Sequence, residues 1–187
     1  MPQRILVLFA HPAYRRSRAN AALRDVARQV EGVTLHDLYD AYPDFLIDVE
    51  QEQALLLRHD VIVFQHPIYW YSCPAILKEW QDLVLEHGFA YGHAGTALAG
   101  KSMLSAVTAG GTETAYGPEG LNRHGLADFL RPFEATARLC RMRWLEPFFV
   151  HGTHLLDADA LARQAAAYRR RLEALRDAAT AALPEEG

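Results

Sequence analysis

The loop that follows the first apolar run of this sequence combines residue types that could bind a phosphate. Residues 5–10 are all apolar, and the stretch after them crowds Arg15, Arg16 and Arg18 around Ser17. Ser17 is a natural N-cap for the helix that follows, and the free N–H groups at a helix N-terminus attract anions. The loop therefore predicts a phosphate site, and the alternative interpretation is a capped helix that carries three solvated arginines.

A second loop places three consecutive aromatic residues, Tyr69, Trp70 and Tyr71, shortly before Pro74 and a helical pattern. Proline is common in the first turn of a helix. Three adjacent rings cannot all point into one core, so at least one is available to a partner. A flat aromatic ligand stacked on a ring would explain them, and a contact between subunits explains them nearly as well.

A third loop contains the glycine pair Gly110 and Gly111, directly after a candidate strand, and then Tyr116. Glycine lets the backbone approach a ligand without a Cβ atom in the way, and tyrosine adds a hydroxyl donor. Taken alone, these are an ordinary turn and an ordinary surface tyrosine. Taken with the other loops, they suit flavin mononucleotide better than a dinucleotide, because no G-x-G-x-x-G follows the first strand.

Two other signals are discounted by their context. The segment GTALAGKS at 95–102 matches the phosphate-loop pattern literally, but it precedes a candidate strand, whereas a phosphate loop follows one and opens a helix. The histidine pairs His151 with His154 and His87 with His93 lie on no predicted helix with a carboxylate or cysteine at ligand spacing. We therefore predict neither nucleotide hydrolysis nor a metal site.

The elements that must position these loops alternate along the chain. Strands are expected at 5–10, 33–38, 61–64, 101–108 and 144–150. Helices are expected around 22–30, 49–58, 76–84, 125–140 and 159–183, with Pro132 breaking the fourth and Pro184 ending the last. The alternation predicts an α/β fold in one domain, 1–187, with a doubly wound five-stranded parallel sheet of order 2-1-3-4-5. In that order the three loops converge at the carboxyl edge.

Composition sets further limits on the function. The chain of 187 residues is half hydrophobic and 22% charged, with a net charge of −4, which excludes a disordered chain and a general nucleic-acid-binding face. Cys73 and Cys140 form no C-x-x-C motif, so we expect both to be reduced thiols in a cytoplasmic protein. The first apolar run is too short for a signal peptide or a membrane span.

Five segments resemble the NAD(P)H:quinone oxidoreductase family of flavodoxin-like proteins, and in particular the ancillary subunits of glutathione-regulated potassium-efflux systems. The segments are AHPAYRRSRAN, YPDFLID, QHPIYWYSCPAILKEW, TAGGTETAY and RPFEATARLCRMRWL. The resemblance extends over residues 4–175. It implies the flavodoxin-like fold, bound FMN, with FAD less favoured, and NAD(P)H as co-substrate.

The same resemblance implies particular site residues. Those near the flavin would be His11, Ser17, Arg18, Ala19, Asn20, Pro67, Ile68, Tyr69, Trp70, Tyr71, Thr108, Ala109, Gly110 and Gly111. Tyr116 is the catalytic candidate. The family's relay histidine has no counterpart at the same spacing, which falls on Asn122, with His124 two residues later.

Two functions follow from the resemblance. In the first, hydride passes from NAD(P)H to the flavin and then to a quinone-like acceptor. In the second, the chain is a regulatory subunit that docks on the cytoplasmic side of a glutathione-gated potassium-efflux antiporter. The resemblance also implies a homodimer whose site lies at the boundary between the subunits. We expect a cytoplasmic protein that reaches the membrane only through a partner and binds no nucleic acid.

Overall fold

A parallel sheet organises residues 2–178, the part of the chain that this computed structural model describes. Its strands are β1 (Ile5–Phe9), β2 (Val33–Asp37), β3 (Val61–Pro67), β4 (Ser102–Thr108), β5 (Arg143–Trp144) and β6 (Phe148–Val150). They follow the order β2-β1-β3-β4-β5, and β6 also pairs with β4. Every pair is parallel. The order 2-1-3-4-5 predicted from the sequence is confirmed.

The last expected strand, 144–150, is divided into two short pieces. Both β5 and β6 pair with β4, at the beginning and at the end of that strand. Leu145 still donates its N–H to the Met103 carbonyl at 2.9 Å, but Pro147 follows and has no N–H to offer. The ladder is therefore interrupted at the proline and resumes with Phe148.

Six helices connect and cover the strands. They are α1 (Arg18–Ala27), α2 (Leu38–Ala41), α3 (Val49–Leu57), α4 (Ala75–Val84), α5 (Arg131–Leu139) and α6 (Ala158–Asp177), with 3-10 turns at Tyr14–Arg16, Glu113–Ala115 and Leu126–Leu130. Ser17, Asp48 and Asp157 accept backbone N–H groups as the N-caps of α1, α3 and α6. The local sequence thus determines where these three helices begin.

One predicted helix differs in the structure. The expected helix 125–140 is a 3-10 turn followed by α5, and Pro132 lies in the first turn of α5 instead of breaking a helix. A proline is tolerated there because the first-turn N–H groups have no intrahelical acceptor. The end of the last helix, expected at 183 before Pro184, lies outside the described residues.

The core forms on both faces of the sheet. Along β1, Leu6 and Leu8 join the apolar cluster that contains Trp80, while Ile5 and Val7 join the cluster on the opposite face. All residues of β1, β3 and β4 are buried. These three strands form a rigid base, and their carboxyl ends hold the loops that follow them in fixed positions.

A fully buried carboxylate joins β2, α3 and α4. Glu52, on α3, accepts hydrogen bonds from His36 Nε2 at 2.7 Å, from the Tyr42 hydroxyl at 2.6 Å and from Trp80 Nε1 at 2.8 Å. Its side chain has no solvent exposure. The three donors satisfy a charge whose burial would otherwise be costly, and they hold the segment after α2 against the sheet.

Among residues 2–178, no helix combines the length and the apolar character that crossing a bilayer requires.

Candidate functional site

A cleft of about 430 Å³ opens at the carboxyl edge of the sheet. Its size falls within the roughly 300–1,000 Å³ usual for small-molecule sites. Four loops contribute to it, those after β1, β3, β4 and β6. The lining residues are His11, Ala13, Arg16, Ser17, Arg18, Ala19, Asn20, Pro67, Ile68, Tyr69, Thr108, Gly110, Thr153 and His154.

The N-terminus of α1 forms one end of the cleft. The Ser17 hydroxyl accepts the Asn20 backbone N–H at 3.3 Å, while the first-turn N–H groups of Arg18 and Ala19 have no intrahelical acceptor. Asn20 Nδ2 also donates to Thr108 Oγ1 at 2.8 Å, which fixes the helix start to the end of β4. Asn20 Oδ1 is buried and has no hydrogen-bond partner among the described residues. A ligand hydroxyl or N–H group could satisfy this oxygen.

His11 lies at the bottom of the same end. Its Nδ1 accepts the Ala13 backbone N–H at 3.0 Å, so a neutral ring carries its proton on Nε2. Burial lowers the pKa of His11, which favours that neutral form. Nε2 lies 3.5 Å from the Tyr69 hydroxyl, and both residues line the cleft. His11 is therefore arranged as a neutral donor.

The loop after β3 contains a strained two-residue hairpin. Tyr69 and Ser72 exchange two backbone hydrogen bonds of 2.9 Å, and the residues between them, Trp70 and Tyr71, have φ angles of +47° and +62°. Such turns usually contain Asn or Gly, because positive φ costs a larger residue about 1–2 kcal/mol. Strain of this kind concentrates at functional sites.

Of the three aromatic residues in this loop, Tyr69 lines the cleft. Trp70 is 95% exposed. Tyr71 turns away, since its ring packs on Phe129 at 5.0 Å between centroids and its hydroxyl donates to Asn122 Oδ1 at 3.1 Å. The hairpin therefore presents Trp70 to solvent and Tyr71 to the loop that follows β4.

The glycine pair after β4 makes room for two side chains. A Cβ atom at Gly110 would lie 3.1 Å from His154 Nε2, and one at Gly111 would lie 2.9 Å from Tyr116 Cε2. Gly110 lines the cleft, whereas the preceding Ala109 is buried. The pair is thus required by the close approach of two rings.

Tyr116 lies beside the cleft, outside its lining. Its ring packs against Phe129 at 6.1 Å and His151 at 5.7 Å between centroids. Burial raises the pKa of Tyr116, so its hydroxyl keeps its proton at neutral pH. Asn122 is engaged by Tyr71, and the ring of His124 packs edge-on against Phe129. The histidine ring beside Tyr116 is therefore His151, which the spacing along the sequence does not indicate.

Sequence reasoning missed the loop between β6 and α6. Thr153 and His154 line the cleft, and the Thr153 N–H donates to the Ala109 carbonyl at 3.1 Å. A signal was present, because every loop that follows a parallel strand opens at the carboxyl edge. The histidines of this loop were considered only as metal ligands. Ala13 and Arg16 complete the lining; Arg16 belongs to the arginine-rich loop predicted to bind a phosphate, whereas Ala13 is not among the expected site residues.

The discounted signals lie elsewhere or lack ligand geometry. The segment 95–102 leads into β4, and Lys101 Nζ donates to the His59 carbonyl at 2.6 Å, at the amino edge of the sheet. Within residues 2–178, no group of three or more His, Cys, Asp or Glu side chains is placed to hold a metal ion. Burial raises the pKa of the Cys73 and Cys140 thiols, which makes them less reactive.

Fold and site together define a flavodoxin-like protein, with a cleft at the carboxyl ends of the central strands. Residues 3–175 match the profile of the flavodoxin-like fold family Flavodoxin_2, and the chain belongs to that family. The chain is 54% identical over 167 residues to the glutathione-regulated potassium-efflux system ancillary protein KefG of Pectobacterium carotovorum, covering 89% of this chain and 91% of the relative.

Two solved structures are also similar. General stress protein 14 of Treponema denticola, determined in complex with FMN, is 39% identical with a TM-score of 0.88 and covers 92% of this chain and 99% of its own. An NADPH-quinone reductase from P. pentosaceus is 35% identical with a TM-score of 0.82 and covers 90% and 97%. The family resemblance predicted from the five segments is confirmed.

Proposed function

We propose that this protein is an FMN-dependent NAD(P)H:quinone oxidoreductase. The observation that carries the proposal is the cleft itself, in which a capped helix N-terminus and two arginines lie at one end and a close-approach glycine in the wall. The relatives support it, since one was determined with FMN and another is an NADPH-quinone reductase.

The residues of the cleft fit the chemistry of FMN. Arg16, Arg18 and the first-turn N–H groups of α1 supply positive charge and donors for a phosphate. The unpartnered Asn20 Oδ1 can accept a ribityl hydroxyl, and the His11 Nε2–H can donate to another oxygen. The ring system would lie between the Pro67–Tyr69 side and Gly110. When bound, FMN supplies the carrier that accepts hydride from NAD(P)H and passes it to a quinone.

The chain's own residues would stabilise the charge that develops on reduction. Gly110 lines the cleft and the Tyr116 ring packs beside Gly111, so the backbone N–H of Gly110 and the protonated Tyr116 hydroxyl would be the donors on this side. Donors placed in advance where negative charge appears are the largest contribution in many enzymes. The exposed Trp70 would meet the acceptor or a second subunit of a homodimer.

The first experiment is the visible absorption spectrum of the purified protein, followed by chromatography of any released flavin. A yellow protein that releases FMN is the expected result. A protein that is colourless and does not bind added FMN would leave only the fold standing. Sedimentation at several concentrations checks the proposed homodimer, for which a monomer at all concentrations is the contrary result.

A second experiment tests Tyr116. We expect Tyr116→Phe to lower quinone-reductase turnover by ten-fold or more while flavin content stays the same, because the ring packing survives and only a donor is lost. The matched control is Tyr91→Phe, which removes a hydroxyl from the segment before β4, at the opposite edge of the sheet. Equal turnover in Tyr116→Phe and wild type would remove Tyr116 from the mechanism.

The identity to KefG favours a second candidate function. In this role the chain docks on the cytoplasmic side of a potassium-efflux antiporter and regulates it, with redox activity secondary. Deleting the gene in a cell that contains the antiporter should then change glutathione-gated potassium efflux. Unchanged efflux would count against regulation and leave the oxidoreductase proposal intact.

A further inference from the structure

The loop between β6 and α6 forms a fixed wall of the cleft. The Gly152 N–H donates to the Gly111 carbonyl at 2.8 Å, and the Thr153 N–H donates to the Ala109 carbonyl at 3.1 Å. Gly152 has a φ of +60°, which lets the chain turn back toward the sheet. The loop is therefore bonded along its length to the segment that follows β4.

The same loop is also bonded to the phosphate end of the cleft. Arg18 Nη1, at the first turn of α1, donates to the Leu156 carbonyl at 3.1 Å. Asp157 then caps α6, so the loop has no free length between this anchor and the helix. Arg18 and His154 both line the cleft, and the Arg18–Leu156 hydrogen bond brings the loop that carries His154 to the side where α1 begins.

His154 is held against the backbone of Gly110. A Cβ atom at residue 110 would approach Nε2 and Cδ2 of this ring to 3.1 and 3.2 Å, closer than ordinary van der Waals contact. The ring is exposed on its other side, where it borders the cleft. The absence of a Cβ atom at Gly110 thus leaves room for the Nε2 edge of the imidazole, and the exposed remainder of the ring borders the cleft.

We propose that His154 is a phosphate-contacting residue that, with Arg16 and Arg18, makes the cleft selective for a flavin with a terminal phosphate. The inference rests on the proposed function and deepens it by assigning selectivity among flavins. Asn20, in the same lining, carries a buried Oδ1 with no hydrogen-bond partner among the described residues, and this acceptor suits a ligand hydroxyl next to the phosphate. Thr153 supplies a second polar side chain on the same wall.

The test compares FMN with riboflavin, which has the same ring and ribityl chain but no phosphate. Dissociation constants for both are measured by flavin fluorescence for wild type, His154→Ala and His154→Gln. We expect His154→Ala to weaken FMN binding about ten-fold, as for one lost hydrogen bond to a charged group, and riboflavin binding less than two-fold. His154→Gln, which keeps an N–H donor, should recover part of the loss. His93→Ala, at an exposed histidine remote from the cleft, is the matched control.

A double-mutant cycle examines the contact with Gly110. Gly110→Ala should weaken FMN binding in the wild-type background, because its Cβ would crowd both the imidazole and the wall of the cleft, and the loss should be smaller in the His154→Ala background, where only the wall is affected. Additive effects would mean that the glycine acts independently of the histidine.

The outcomes separate the two proposals. Equal weakening of FMN and riboflavin in His154→Ala, or no change in either, would overturn the role of His154 while leaving the flavoprotein assignment in place. Wild-type protein that binds neither flavin would overturn the proposed function, and this inference with it.

Discussion

Replacing Glu52 with glutamine changes one oxygen to an amide nitrogen in a site where every neighbour donates. Oε1 accepts from His36 and Tyr42, and Oε2 accepts from Trp80. In one orientation of the glutamine, its NH₂ group faces the Trp80 N–H, and in the other it faces the two other donors. In the first orientation the Trp80 N–H has no acceptor, and in the second the imidazole must change tautomer and the Tyr42 hydroxyl must rotate its proton, so either arrangement disrupts the buried network at a cost of about 1–3 kcal/mol.

The expected loss is large enough to measure. For a chain of this length, 1 kcal/mol corresponds to a shift of roughly 2–4 °C in Tm, so Glu52→Gln should lower Tm by about 2–12 °C. Urea unfolding at pH 7 gives the free energy directly. The control is Glu50→Gln on the same helix, an exposed position where the same change should stay within about 0.5 kcal/mol of wild type.

The pH dependence gives the sharper test of this reasoning. Burial alone would raise the pKa of Glu52, but hydrogen bonds from His36, Tyr42 and Trp80 together lower it. A pKa that is lower in the folded state means that the ionised carboxylate stabilises the fold at neutral pH. That stabilisation is lost as the pH falls below 4.5, the ordinary value of the carboxyl group. The difference in the free energy of unfolding between wild type and Glu52→Gln should therefore become smaller in acid. If the two proteins had the same free energy of unfolding at pH 7, or if their difference became larger in acid, the stabilising role of the ionised Glu52 would be refuted.

Two further predictions concern His66 and Trp70. Burial lowers the pKa of His66 from 6.5 to about 4, so the unfolded chain binds a proton that the folded chain excludes, and stability should fall by about 2 kcal/mol between pH 6.5 and 5. His66→Gln should make the fall of unfolding free energy with decreasing pH shallower over that range, while other buried histidines still contribute, and a slope as steep as that of the control His93→Gln would contradict this. Trp70→Asn should raise the free energy of unfolding by about 0.5–1 kcal/mol, because asparagine tolerates positive φ, whereas Trp70→Ala should bring no such gain. Thermal unfolding of both variants measures this difference, and equal Tm values for Trp70→Asn and Trp70→Ala would argue against backbone strain at Trp70.

The order of the sheet could be predicted because its signals are local and repeated. Short apolar runs alternating with helical periods allow few parallel topologies, and the first, third and fourth strands are adjacent in the simplest one. The expected strands 5–10, 61–64 and 101–108 correspond to β1, β3 and β4, which are buried throughout. The sequence also contains Pro147 within the last expected strand, but a single proline does not indicate that strand pairing resumes after it.

The function of the glycine pair could not be predicted from its neighbours. Gly110 and Gly111 suggested a backbone surface for a ligand. In the structure, the rings of His154 and Tyr116 occupy the space that Cβ atoms would need. One of these rings comes from a loop more than forty residues later, and its approach depends on where β6 ends. No local pattern contains that information.

The aromatic loop shows a related limit. Three adjacent rings indicated a stacking surface, yet only Tyr69 lines the cleft. The direction of the other two is set by positive φ at Trp70 and Tyr71. Residue preferences would place Asn and Gly in such a turn. The turn exists because the bonds between Tyr69 and Ser72 and the stacking of Tyr71 on Phe129 impose it.

The three arginines of the loop after β1 are all exposed but differ in position. Arg16 and Arg18 line the cleft, whereas Arg15 lies outside the lining, with its guanidinium 6.0 Å from the Tyr14 ring centroid. Arg24, from the second turn of α1, lies over the same Tyr14 ring, with its guanidinium 4.4 Å from the ring centroid.

Arg24 is held in place by charge as well as by stacking. Its Nε lies 3.4 Å from Asp37 Oδ2, and its Nη2 lies 3.7 Å from Asp40 Oδ2. This buried arginine therefore anchors Tyr14, and with it the 3-10 turn that ends at Arg16. The four arginines thus have different positions. Arg24 anchors the turn, Arg16 and Arg18 line the cleft, and Arg15 is solvated. A chain with a net charge of −4 can in this way concentrate positive charge at the single helix end where a phosphate would bind.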